Sequence, residues 1–170
     1  MEARASRHRL VIMRPPSAHL LRTFAAVPLP QTVLVIGDDA LRHALPLAQL
    51  GFDVTACTHD SEAADRCHAT LKAEGVSAST VAMPFDDLAF ADESFGWVVA
   101  TDLDVRADLS HVHRVLAEGG WLFAETGASS ADLTQVFGQA GFAIAEAAAP
   151  AENVARTHGI FRRVGERTRG

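Results

Sequence analysis

Thr32–Gly51 reads TVLVIGDDALRHALPLAQLG. The apolar run Val33–Ile36 has the length and β-branched content of a buried strand. It stops at Gly37, and the polar pair Asp38–Asp39 makes a turn. An apolar-rich stretch from Ala40 to Leu50 then reads as a helix ending at Gly51. Phe52–Cys57 is a second strand-like run. Strand, tight turn, helix and strand in this order predict a parallel βαβ unit. In such sheets ligands bind outside the carboxyl ends of the strands. A small ligand is therefore expected to touch Gly37–Leu41.

Pro46 leaves the helix start open. If the helix begins after Asp39, Pro46 lies inside it, at a cost of up to ~3 kcal/mol. If it begins near Leu45, Pro46 is a favoured first residue and the preceding loop is long.

The same alternation extends on both sides. Upstream, Ser17 can cap a helix over Ala18–Ala26 with Leu20, Leu21 and Phe24 on one side, and Pro28 and Pro30 stop it. Downstream, Asp60 or Ser61 can cap a helix carrying Ala64, Cys67 and Leu71 on one face, ended by Gly75. Val76–Met83 is a third strand, and Pro84–Glu93 is an Asp-rich loop. Phe95–Thr101 (FGWVVAT) is a buried-strand run. Leu109, Val112, Val115 and Leu116 have helical spacing, and Glu118-Gly119-Gly120 reads as a helix-stop turn before a fifth strand, Trp121–Ala124. Ser129 or Ser130 caps a further helix with Leu133, Val136, Phe137 and Ala140 on one face. Phe142–Ala147 and His158–Val164 read as a closing antiparallel pair. The prediction is an α/β three-layer sandwich. A single domain is expected over 17–165, between weakly ordered basic tails at 1–16 and 166–170.

Composition bounds the function. The chain has 170 residues, 48 % hydrophobic content and a net charge of −6. Residues 1–30 and 156–170 each carry +4, and the middle carries −14. Arg-rich ends without interleaved aromatics read as solvated tails, so a nucleic-acid partner is not expected. No stretch approaches the ~20 apolar residues of a membrane span. The two cysteines make no disulfide framework and match no common zinc spacing, so Cys57 and Cys67 read as core residues. A cytoplasmic location follows. One Lys against fourteen Arg, with abundant Ala, points to a bacterial source.

The second half resembles a known family. LAFADESFGWVVA (Leu88–Ala100) and HRVLAEGGWLFAE (His113–Glu125) are similar to the segments that enter strand four and strand five of the Rossmann-like, class I S-adenosylmethionine-dependent methyltransferases. VLVIGDDALRHALPLAQLGFDVTACTHD lies without a gap over that family's glycine loop and second strand. The resemblance implies a mostly parallel seven-stranded sheet with an antiparallel last strand. It implies S-adenosylmethionine as cofactor and methyl transfer to a small molecule. It also implies a cofactor edge made of Gly37, Asp38, Asp39, Thr58, His59, Phe85, Asp86, Thr101 and Asp102.

The sequence departs from the family's pattern at those positions. Only the first glycine of the loop is present, and an L-residue at the others brings a Cβ into the ligand's space. Val35 replaces the acid before the loop. Thr58 stands where the ribose-binding carboxylate is expected, and a hydroxyl cannot make the charged bidentate contact. Phe85 or Met83 can still stack on a base. No residue stands out as a general base among His43, His59, Asp102 and Asp104. Two expectations follow: a small-molecule methyltransferase, or an inactive relative acting as a binding, regulatory or subunit-partner protein, with a homodimer among its possible forms. A second resemblance, of VLVIGDD and FGWVVATDLD to receiver domains, fails on the extra βα unit before Asp102. It fails also on Ala149, which stands where a Lys is needed.

Overall fold

The structure is a computed structural model that describes residues 15–37, 39–85, 87–101, 109–126, 135, 137–148 and 157–164. Helix α1 (Ala18–Ala25) leads into β1 (Thr32–Ile36). Then come α2 (Leu41–Gln49), β2 (Asp53–Thr58), α3 (Ser61–Ala73) and β3 (Ser79–Ala82). The second half holds β4 (Phe95–Thr101), α4 (Ser110–Val115), β5 (Leu116–Thr126), β6 (Phe142–Ala148) and β7 (Thr157–Arg163). The seven strands form one sheet in the order β3-β2-β1-β4-β5-β7-β6. Strands β1 to β5 run parallel, and β7 pairs antiparallel with both β5 and β6. The receiver reading is excluded by this sheet.

The central strands are apolar throughout because both faces are covered. Val33 and Val35 of β1 face a cluster with Leu20 and Phe24 of α1, Leu47 of α2 and Leu71 of α3. Leu34 and Ile36 face the opposite cluster, with Val112 and Val115 of α4 and with Phe137. The period-2 alternation of one strand thus feeds two cores, and the sandwich has three layers.

The caps behave as expected. Ser17 Oγ accepts from Leu20 N, and Asp60 Oδ1 accepts from Ala63 N at 2.7 Å. Losing the second cap through Asp60→Ala is expected to lower stability by about 1 kcal/mol in urea unfolding. Helix α2 runs from Leu41 with Pro46 inside it, which settles the start that the sequence leaves open.

Two boundaries differ from expectation. The third strand is only Ser79–Ala82. The predicted turn at Glu118–Gly120 lies within β5, not before it. Phe95 pairs with Leu116 and Trp97 with Trp121, so two steps along β4 match five along β5. The extra residues fold out as a bulge. Gly119 takes φ 72°, and a Cβ on Gly120 would lie 2.8 Å from the Ala117 carbonyl oxygen. Glycine is required at both. The predicted helix face at Leu133 and Val136 lies outside the described residues, as do residues 1–14 and 165–170 of the basic tails.

Candidate functional site

The carboxyl ends of β1, β2, β3, β4 and β5 lie along one edge of the sheet because these strands are parallel and in register. Gly37 extends the pairing by one residue, its N–H donating to the Cys57 carbonyl at 3.1 Å. Ala40 N returns to Gly37 O at 3.1 Å and closes the turn. Met83 N donates to Thr58 O at 3.0 Å and carries the chain from β3 across the end of β2. That step places Phe85 against His59, with ring centroids 4.0 Å apart and planes at 36°.

Gly37, Asp39, Thr58, His59 and Phe85 are therefore brought to one edge. Thr101 ends β4 beside Glu125 of β5. Asp38, Asp86 and Asp102 lie outside the described residues.

The side chains at this edge have partners within the chain. The Thr58 hydroxyl donates to the Asp60 carbonyl at 2.9 Å. The Asp60 carboxylate faces the α3 backbone as its cap. One ring face of Phe85 meets His59.

Arg42, which the sequence reading passed over, is the centre of a buried ion cluster. It is 8 % exposed, and Glu125 is 3 % exposed. Arg42 Nη2 donates to both Glu125 oxygens at 3.1 and 3.2 Å, and Nη1 to Asp39 Oδ2 at 3.3 Å. In the strand order β1-β4-β5 the guanidinium thus joins the turn after β1 to the end of β5, spanning β4. Two hints stood in the sequence: an Arg inside the apolar stretch Ala40–Leu50, and a Glu ending the apolar run WLFAE. Their separation of 83 residues hides the pairing.

His43, a candidate base by sequence, is fully buried, and its Nε2 accepts from Ser17 N at 3.2 Å. Cys57 and Cys67 are free, buried thiols, both pushed up to about 11 by burial. Among the described residues no cluster of His, Cys, Asp and Glu could hold a metal ion. A cavity of about 380 Å³ lies beside Thr32, Asp53 and Phe95. Those are the amino ends of the strands, opposite the edge at which this architecture binds ligands.

The sheet order and the antiparallel β7 define a class I methyltransferase fold. Residues 33–120 match the family model of the methyltransferase domain, and the chain belongs to that family. A methyltransferase of Methanosarcina mazei described as SAM-dependent is similar in structure, with TM-score 0.75 and 15 % identity over 88 % of this chain and 99 % of that one. A structure of the Haloferax volcanii Trm112 methyltransferase activator with its methyltransferase has TM-score 0.70 and 18 % identity, over 86 % and 89 %. The cyclase SpnF has TM-score 0.73 and 15 % identity, over 86 % and 81 %. A search of curated proteins by sequence finds no match.

The described residues of the edge fit S-adenosylmethionine poorly. None presents a carboxylate for the ribose hydroxyls, since Asp60 is turned to its helix. Thr58 keeps lone pairs but no charge. The Asp39 carboxylate is held by the Arg42 guanidinium.

Proposed function

We propose that this chain keeps the methyltransferase fold without transferring methyl groups and acts as a binding, regulatory or subunit-partner protein. The observation that carries the reading is the Arg42–Glu125 pair: the edge is held together by its own side chains. A methyl-transfer site needs polar groups left open toward its cofactor, pre-oriented and ready to be paired. Here Asp39, Asp60 and Glu125 each have a partner within the chain. The fold carries several roles in its structural neighbours, named as a methyltransferase, a methyltransferase with a protein activator, and a cyclase. Fold alone does not select among them. A cytoplasmic setting is part of the proposal, in keeping with two free thiols. Among the described residues no helix is long and apolar enough to cross a membrane.

The competing reading is S-adenosylmethionine-dependent methylation of a small molecule. Membership of the family and the retained Gly37 favour it. Thermal melting separates the two. With about 1 mM S-adenosylmethionine or S-adenosylhomocysteine, a micromolar site would add ~4 kcal/mol of stability. The proposal predicts an unchanged midpoint with either compound. A rise of several degrees would favour the enzyme.

A further inference from the structure

Strand β3 ends the sheet order, with no further strand beyond it among the described residues. Met83 N donates to Thr58 O of β2. In a parallel pair alternate residues turn to the same neighbour. Ser79 and Val81 therefore also face β2, and Thr80 and Ala82 turn their N–H and C=O groups outward. Open edges of this kind are usually guarded by charge, proline or a bulge. Here the run from Gly75 to Phe85 carries no charge. Strand β3 itself holds no proline, and its register with β2 is regular.

Helix α3 packs on this edge strand. Ala64, Cys67 and Leu71 are its buried stripe. Ala63 and Thr70 lie to one side of that stripe, are half-buried, and turn toward α2, which α3 touches. The opposite flank holds Ser61, Asp65, His68 and Lys72, spaced i, i+4, i+7 and i+11 and all exposed, so it borders the open side of β3. Charge changes sign along this flank, from Asp65 near the helix start to Lys72 in its last turn. Glu62 and Arg66 face solvent and pair with each other at 3.8 Å.

We propose that a second copy of this chain covers the edge: β3 pairs antiparallel with its own counterpart about a two-fold axis normal to the sheet. A two-fold axis sets like residues near one another, so a charged edge repels itself and an uncharged edge does not. The same axis lays the two α3 helices antiparallel on one face. Asp65 of each copy then lies toward Lys72 of the other, and like charges are kept apart. This charge complementarity selects a second copy over an unrelated strand. From β3 the chain continues through Met83 to Phe85, so the second copy sits next to the His59–Phe85 end of the carboxyl edge. The inference does not rest on the function proposed above, because no ligand takes part.

Four strand residues and one helix flank make a small interface, so Kd is expected on the order of 10–100 μM. Light scattering on the full chain, from well below to well above that range, is expected to read a mass rising from 18.1 kDa toward twice that value. Lys72→Asp turns two attractions into two repulsions and is expected to weaken the dimer about tenfold or more. The double variant Asp65→Lys/Lys72→Asp restores opposite signs across the axis and is expected to recover it. Ala82→Pro removes an outward N–H that β2 does not use, and is expected to leave a monomer. A wild-type mass that stays at one chain overturns the proposal. So does a dimer that ignores Lys72→Asp or a folded Ala82→Pro, because the interface then lies elsewhere. If Ala82→Pro does not fold, the charge swap decides: recovery in the double variant supports the pairing, and no recovery contradicts it.

Discussion

Replacing Arg42 by Met is expected to destabilise the protein by about 3–5 kcal/mol in urea unfolding. The size comes from what is left behind. Glu125 is 3 % exposed and takes both its hydrogen bonds from Arg42 Nη2 that are seen between these two groups. Met fills much of the volume but donates nothing, so a carboxylate stays buried without its counter-charge. The intact pair is worth far less than its loss costs, because desolvating two ions offsets most of their attraction. The double variant Arg42→Met/Glu125→Leu is therefore expected to recover most of the stability. This sign reversal is diagnostic of a buried pair. An Arg42→Met loss below ~1 kcal/mol would mean that the pair is solvated, and the account of a self-held edge would fail.

The second large effect is expected in the antiparallel pair β7-β6 at one end of the sheet. Phe161→Ala should cost about 3–5 kcal/mol. Phe161 is 1 % exposed and stacks on Phe137, with centroids 4.2 Å apart and planes at 20°. Phe137 meets Phe142 edge-on at 5.9 Å. The three rings join β7, the helical segment around 137–139 and β6. The antiparallel pair thereby shares the core of the parallel strands. Gly159 is part of the fit, since a Cβ there would lie 2.4 Å from a Phe161 ring carbon. Removing the ring leaves a cavity where β6, β7 and the 137–139 segment meet the core of the parallel strands. A loss under ~1 kcal/mol would show that this corner repacks.

The fold was legible because its motifs report contacts that every such chain must make. The Arg of HRVLAEGG is Arg114, and its guanidinium donates to Phe90 O at 2.6 Å, Leu88 O at 2.5 Å and Asp92 Oδ1 at 2.7 Å. Those three residues belong to LAFADESF. The two segments resemble a family together because one side chain ties them together, whatever the edge above them binds. The glycines of the second motif were legible as a turn. That the turn would be a bulge inside β5 was not, because the pairing of Phe95 with Leu116 is decided by the neighbouring strand.

The site was legible in its losses more than in its construction. Thr58, Val35 and the glycine-poor turn can be read directly. What stands in their place cannot, because Arg42 and Glu125 meet only once β1, β4 and β5 are ordered in the sheet. The same holds for His43. In sequence it is a histidine after strand one, a natural candidate base. In the fold it faces inward and holds Ser17. Helical direction settles that, and a list of nearby polar residues does not.

Isothermal titration of the full chain with S-adenosylhomocysteine tests the self-held edge most directly. The account predicts no saturable heat up to about 1 mM ligand, a limit of roughly −4 kcal/mol in binding free energy. A saturable micromolar isotherm, weakened by Thr58→Ala or Phe85→Ala, would contradict it and return the chain to the methyl-transferring members of its family.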